Sequence, residues 1–74
     1  MPEGEPMSDF RERLRKLREG RGISRVVLSQ LCGFADGQIR LYERGEQEPT
    51  MHSLMSMADV LGVSMDYLSG RTEK

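Results

Sequence analysis

Glycines at positions 33, 45, 62 and 70, with the Gly20-Arg21-Gly22 triplet, cut this 74-residue chain into five short segments. Each segment places its apolar residues at helical spacing, and none alternates as a half-buried strand would. Segments this short cannot be stable alone, so they must pack against one another around a shared core. The expected fold class is therefore all-α, a compact five-helix bundle with short loops. A chain of this size is near the lower limit for folding alone, so each apolar residue carries weight.

The first helix is expected from about Ser8, as N-cap, to Glu19. Phe10, Leu14 and Leu17 lie on one face, and Arg11, Arg15, Lys16 and Arg18 lie on the other. The second starts after Ser24 and ends near Cys32, with Leu28, Leu31 and Cys32 as its apolar side. Gly33 supplies the left-handed backbone of a sharp turn. The third covers about Asp36 to Arg44, buries Ile39 and Tyr42, and stops at Gly45. Thr50 caps the fourth, whose Met51, Leu54, Met55, Ala58 and Leu61 keep a 3.6-residue period, with Met57 off that stripe. Ser64 caps a last short helix through Leu68. Residues 1–7 and 71–74 read as flexible tails around a domain at 8–70.

Composition excludes several classes. One cysteine cannot form an internal disulfide or a zinc site alone, and a reducing compartment is expected. No apolar run approaches the roughly 18–20 residues of a membrane span. "MPEGEPM" has no basic, apolar leader, so no signal peptide is expected. One histidine, one cysteine and no phosphate-cradling glycine loop leave no constellation for catalysis, so the chain is expected not to be an enzyme. No cofactor, metal or small-molecule ligand is indicated. Formal net charge is −1, yet residues 8–25 hold seven cations against three acids, so a basic face is compatible with the acidic total.

Residues 25–44 form a helix, a glycine-centred turn and a second helix. Leu28, Cys32, Phe34, Ile39 and Tyr42 would meet between the helices, and Ser29 is small where they cross. This is a helix-turn-helix arrangement, whose second helix enters the DNA major groove. From Phe10 to Gly70 the chain resembles the Cro/C1-type helix-turn-helix family of phage and bacterial repressors. The resemblance rests on "RLRKLREGRGIS", "LSQLCGF", "IRLYERGEQEPT" and "LGVSMDYLSG", in the family's order and spacing. It implies a lambda-repressor-like bundle that binds double-stranded DNA, usually as a homodimer on a two-fold operator.

Carried over position by position, the resemblance implies phosphate contacts from Ser24 and Arg25, where the family commonly has Gln, and from Arg44. The groove-facing positions are Ala35, Asp36, Gly37, Gln38, Arg40 and Leu41. Arg18 and Glu43 are implied as an ion pair between the first and third helices, and Tyr67 and Leu68 lie where the family often dimerises. Asp36 and Gly37 stand where larger polar residues are often found, and Glu46 and Glu48 occupy a loop that is often basic. An acid facing phosphate is repulsive, by roughly 1 kcal/mol at 4 Å in water. Asp36 has two readings: an N-cap of the third helix, which is preferred, or an acceptor for cytosine N4. Gln38 suits adenine, and Arg40 suits guanine or phosphate.

Blander roles compete with sharper ones. Most of the arginines of the first helix read as a solvated face with ion pairs such as Glu12–Lys16, rather than as a DNA-facing strip. Cys32 reads as a small core residue rather than a redox switch, and His52 as solvent-facing. Met57 is expected to be exposed. Val26 and Val27 are unusual in a helix that is polar there, and either mark a partner contact or are scattered surface residues. Tyr67 and Leu68 either dimerise or close the core. The expected function is sequence-specific DNA binding as a cytoplasmic transcriptional regulator, nucleoid-associated when bound, with repression the expected mode. The alternative is a protein-interaction module or antitoxin-like partner with weakened DNA binding.

Overall fold

The computed structural model describes residues 6–70, with side chains described from Phe10 onward. Five helices follow in order: α1 (Pro6–Gly20), α2 (Arg25–Cys32), α3 (Gln38–Arg44), α4 (Met51–Leu61) and α5 (Met65–Ser69). The described residues contain no strand. α1 begins earlier than its expected cap, so Ser8 lies inside the first turn and proline occupies a first-turn position it tolerates. The segment expected as a tail at 1–7 thus overlaps α1 at Pro6 and Met7. Residues 1–5 and 71–74 lie outside the described residues.

Local chemistry starts and stops the helices. Ser24, Thr50 and Ser64 accept hydrogen bonds from the backbone N–H groups of Val27, Ser53 and Tyr67, at 3.1, 3.1 and 3.0 Å. At the end of α2, Gly33 turns left-handed (φ 77°) and donates to Gln30 O, while Phe34 N donates to Ser29 O. That 6→1 and 5→2 pair satisfies carbonyls the helix end would orphan and folds Phe34 back toward the core. The same pairing recurs at Gly45–Glu46 and Gly62–Val63.

The core is built from one face of each helix: Phe10 and Leu14 of α1, Leu28 of α2, Ile39 and Tyr42 of α3, Met57, Ala58 and Leu61 of α4, and Leu68 of α5. Phe10 and Phe34 both meet the Tyr42 ring edge-on, at centroid separations of 6.2 and 6.1 Å. Two arginines, Arg13 in α1 and Arg21 just after it, tie this end of the chain to the C-terminal half. Arg21 donates to the carbonyl of Leu61, at the end of α4. Arg13 donates to Tyr67 O at 2.8 Å and stacks over the Tyr67 ring.

Three expectations about burial are corrected. In α4, Met57 is fully buried while Met51 is 68% exposed and Met55 is also exposed. The buried stripe is 54, 57, 58, 61, which shares three positions with the expected one but is rotated about the helix axis. Leu31 is 58% exposed, because α2 turns Leu28 and Ser29 inward. Leu68 is fully buried, so it closes the core of its own chain and is removed from any dimer contact.

Candidate nucleic-acid interface

α2, the turn and α3 are held together at their crossing by Ser29. Its side chain is fully buried, and its hydroxyl accepts a long 3.4 Å hydrogen bond from Ile39 N at the start of α3. This contact replaces a cap of α3's own. The N-cap position is Gly37, which has no side chain to accept a bond. Asp36 therefore does not cap α3, and that preferred reading is overturned. The physical reason is the turn: Gln38 N donates to Ala35 O at 3.1 Å, and Gly37 has φ 87° and ψ −8°. Those angles belong to the third residue of a type II turn, which requires positive φ. The helix can begin only after it, two residues later than expected. Asp36 is left exposed and, among the described residues, without a hydrogen bond or ion pair.

The turn and helix present a defined outer face. Ala35, Asp36, Gly37 and Arg40 are exposed, whereas Gln38 and Leu41 are half-buried. The Gln38 amide donates to Gln47 Oε1 at 2.8 Å, so its orientation depends on the loop after α3. Nothing local to "GEQEP" signals that Gln47 has a partner nine residues back. Arg44 is paired with Glu46 at 2.9 Å, both half-exposed. An exposed pair contributes only about 0–1 kcal/mol, so Arg44 can exchange Glu46 for another anion at little cost.

Behind this face, Arg18 and Glu43 form a bidentate pair. Arg18 Nε lies 2.6 Å from Glu43 Oε2, and Nη2 lies 3.1 Å from Oε1. Arg18 Nη1 also donates to Ile23 O at 2.9 Å. The hydrogen bond to Glu43 raises the Arg18 pKa, against the lowering effect of burial. Arg25, at the start of α2, leans toward the same carboxylate at 3.9 Å and stays half-exposed. Glu43 thereby sets α1, α2 and α3 relative to one another. Cys32 lies beside the core, and burial pushes its thiol up to about 11, so it is a poor nucleophile at neutral pH.

Tyr67 is half-buried while Leu68 is fully buried. Tyr67 lines a cleft of about 460 Å³ with Leu17, Gly62, Val63 and Ser64. On α2, Val26 and Val27 are exposed, as are Leu31, Met51 and Met55. No three His, Cys, Asp or Glu side chains among the described residues converge as metal ligands. Among the described residues no helix is long and apolar enough to cross a membrane.

Comparison with known proteins follows the same outline. A family model described as helix-turn-helix matches residues 14–68. The chain is 36% identical over 59 residues to the SPbeta prophage-derived uncharacterized HTH-type transcriptional regulator YonR of Bacillus subtilis, covering 80% of this chain and 55% of that protein. It is 34% identical over 62 residues to the cryptic phage CTXphi transcriptional repressor RstR of Vibrio cholerae, covering 84% of this chain and 55% of that protein. The chain thus spans about half the length of these relatives. The P22 c2 repressor, solved in complex with synthetic operator 9T, superimposes with a TM-score of 0.76 at 32% identity, covering 80% of this chain and 89% of that one. The restriction-modification controller protein C.AhdI from Aeromonas hydrophila gives a TM-score of 0.78 at 27% identity, covering 84% and 94%.

Proposed function

Because the chain belongs to the helix-turn-helix family, we propose that it is a sequence-specific DNA-binding transcriptional regulator that represses by occupying its operator. The observation that carries this reading is α3 itself. Ile39 and Tyr42 anchor it in the core, while Arg40 and Arg44, one turn apart, are exposed, as is Asp36 in the turn before it. A helix fixed in this way can lie in a major groove without disturbing the fold. Arg40 and Gln38 read base edges, whereas Ser24, Arg25 and Arg44 meet phosphate. Asp36, freed from capping, is available to accept from cytosine N4.

The protein acts in the cytoplasm as a homodimer, with recognition helices about 34 Å apart on a two-fold site. Tyr67 and the cleft beside it supply the contact between copies. One small module buries too little surface for strong specificity, which is why two are needed. The kinship to phage repressors supports repression as the mode.

Selection from a random duplex pool, followed by gel shifts at low salt, tests the reading. Gln38→Ala should lower discrimination at one base pair. Arg40→Ala should do the same where it meets a base, or weaken all duplexes alike where it meets phosphate. Asp36→Asn should weaken the selected site and relax one position by about 1–3 kcal/mol. A uniform gain in affinity would instead mean that Asp36 only repels phosphate. No enrichment, together with indifference to Arg25→Ala and Arg40→Ala, would sink DNA binding. The reading then favoured is an interaction module or antitoxin-like partner, supported by the exposed Val26, Val27 and Leu31 on α2.

A further inference from the structure

The helix-turn-helix unit does not contain all of the cationic surface at the end of α3. Arg11 of α1 lies against Gly45, the residue that ends α3. A Cβ at position 45 would come within 2.7 Å of Arg11 Cδ and Nη1 and 2.9 Å of Cζ. The guanidinium thus occupies the space beside the C-terminus of α3 that a side chain at position 45 would enter. One helical turn on, Arg15 faces the same way. Arg11, Arg15, Glu12 and Glu43 together line a cleft of about 350 Å³ between α1 and α3.

The charges of this cleft are unequally engaged. Glu43 is occupied by the bidentate Arg18 contact, with Arg25 also at 3.9 Å. Arg11 and Arg15 form no hydrogen bond or ion pair among the described residues. Glu12 is exposed and is the one acid among the described lining residues left against them. Arg25 at the start of α2 and Arg11 and Arg15 along α1 flank Glu43, while Arg18 is buried beneath it and Arg44, at the end of α3, is already paired with Glu46. With Arg18 and Arg25 set against Glu43 and Arg44 against Glu46, Arg11 and Arg15 face Glu12, so the local excess is positive although the chain's formal net charge is −1.

We propose that Arg11 and Arg15 bind the phosphate backbone of duplex DNA, extending the interface onto α1, outside the helix-turn-helix unit. The inference rests on the DNA-binding reading above. Planar guanidinium groups suit phosphate oxygens, and two of them one turn apart can engage a strand passing the end of α3. The contact carries no base readout, so it strengthens binding to every sequence. It compensates for the acids Glu46 and Glu48 in the loop after α3. A purely structural role competes, because a cation at a helix C-terminus stabilises that end.

Salt dependence separates the two roles. Fluorescence anisotropy with a labelled mixed-sequence duplex, and with a selected site, is followed from ~50 to ~200 mM salt. Each of Arg11→Ala and Arg15→Ala should lower the slope of log affinity against log salt by about 1, and the double variant by about 2. The wild type's advantage over the double variant should then shrink about 12- to 16-fold across that range, equally on both duplexes. Arg11→Lys with Arg15→Lys should retain most of the slope. Thermal melts of the same variants report the structural role. Arg15 is exposed, so Arg15→Ala keeps the fold and alone decides that half of the proposal. An unchanged slope in folded variants, with or without a lower melting temperature, overturns the inference and leaves DNA binding standing. Absence of salt-dependent duplex binding by the wild type overturns the DNA-binding reading and this one with it.

Discussion

Replacing Glu43 by Gln should cost this small domain a large part of its stability. Arg18 is 8% exposed, and the Glu43 side chain is 6% exposed. The substitution keeps the shape but removes the negative charge from a guanidinium that is largely out of water. Breaking a buried pair from one side costs about 3–5 kcal/mol, against about 0–1 kcal/mol for a surface pair. Arg18 would keep Ile23 O at 2.9 Å and Glu19 at 3.8 Å, which places the cost at the low end, near 3 kcal/mol. A chain of this length has in total about 4–11 kcal/mol to lose, at ~0.05–0.15 kcal/mol per residue. At ~4–8 °C per kcal/mol, the midpoint should fall by about 12–24 °C. Urea unfolding followed by far-UV circular dichroism gives the free energy, and a thermal melt gives the midpoint. Arg18→Met combined with Glu43→Leu should recover much of the loss, since a hydrophobic pair of similar volume avoids desolvating two charges. A loss below about 1 kcal/mol for Glu43→Gln, with unchanged denaturant slope, would refute the argument. The pair would then behave as a solvated surface bridge.

Three further outcomes are expected. Gly37→Ala should destabilise by about 1–2 kcal/mol, because its φ of 87° strains any Cβ although no atom lies near enough to clash. Gly37→Asn should cost less by the same urea assay, since Asn tolerates positive φ. Met57→Ala should cost about 2–5 kcal/mol, whereas Met51→Ala should stay within about 0.5 kcal/mol, a contrast that tests which stripe of α4 is buried. Alkylation of Cys32 in the folded protein should accelerate with a midpoint near pH 11, where the unfolded chain titrates near its ordinary 9.0. The neutral thiol is favoured by folding, so this group's stabilising contribution is complete below pH 9 and is lost as pH rises through about 11. A native alkylation profile centred near 9 would show the thiol to be solvated.

Much of this fold is written in local chemistry. Ser24, Thr50 and Ser64 announce helix starts because a short hydroxyl side chain can bond a backbone N–H three residues on, whatever surrounds it. Gly33, Gly45 and Gly62 announce stops for an equally local reason, the left-handed backbone of the closing turn. These signals need only neighbours in sequence, so five helices and their order can be read without a structure. Arg18 and Glu43 were suggested by resemblance to a family rather than by spacing, since 25 residues separate them.

Tertiary structure decided what local chemistry leaves degenerate. In α4, the stripes 51-54-55-58-61 and 54-57-58-61 both fit a 3.6-residue period, and only packing shows that Met57 enters the core while Met51 and Met55 do not. Leu31 could face inward until Leu28 and Ser29 are seen to take that side. Asp36 is a good capping residue, but the turn through Gly37 moved the helix start past it, and Ser29 of the preceding helix supplied the acceptor. The approach of Arg11 to Gly45 and of Gln38 to Gln47 has no signature in the sequence. Each depends on where a side chain from one segment meets another, and that is settled only when the helices share a core.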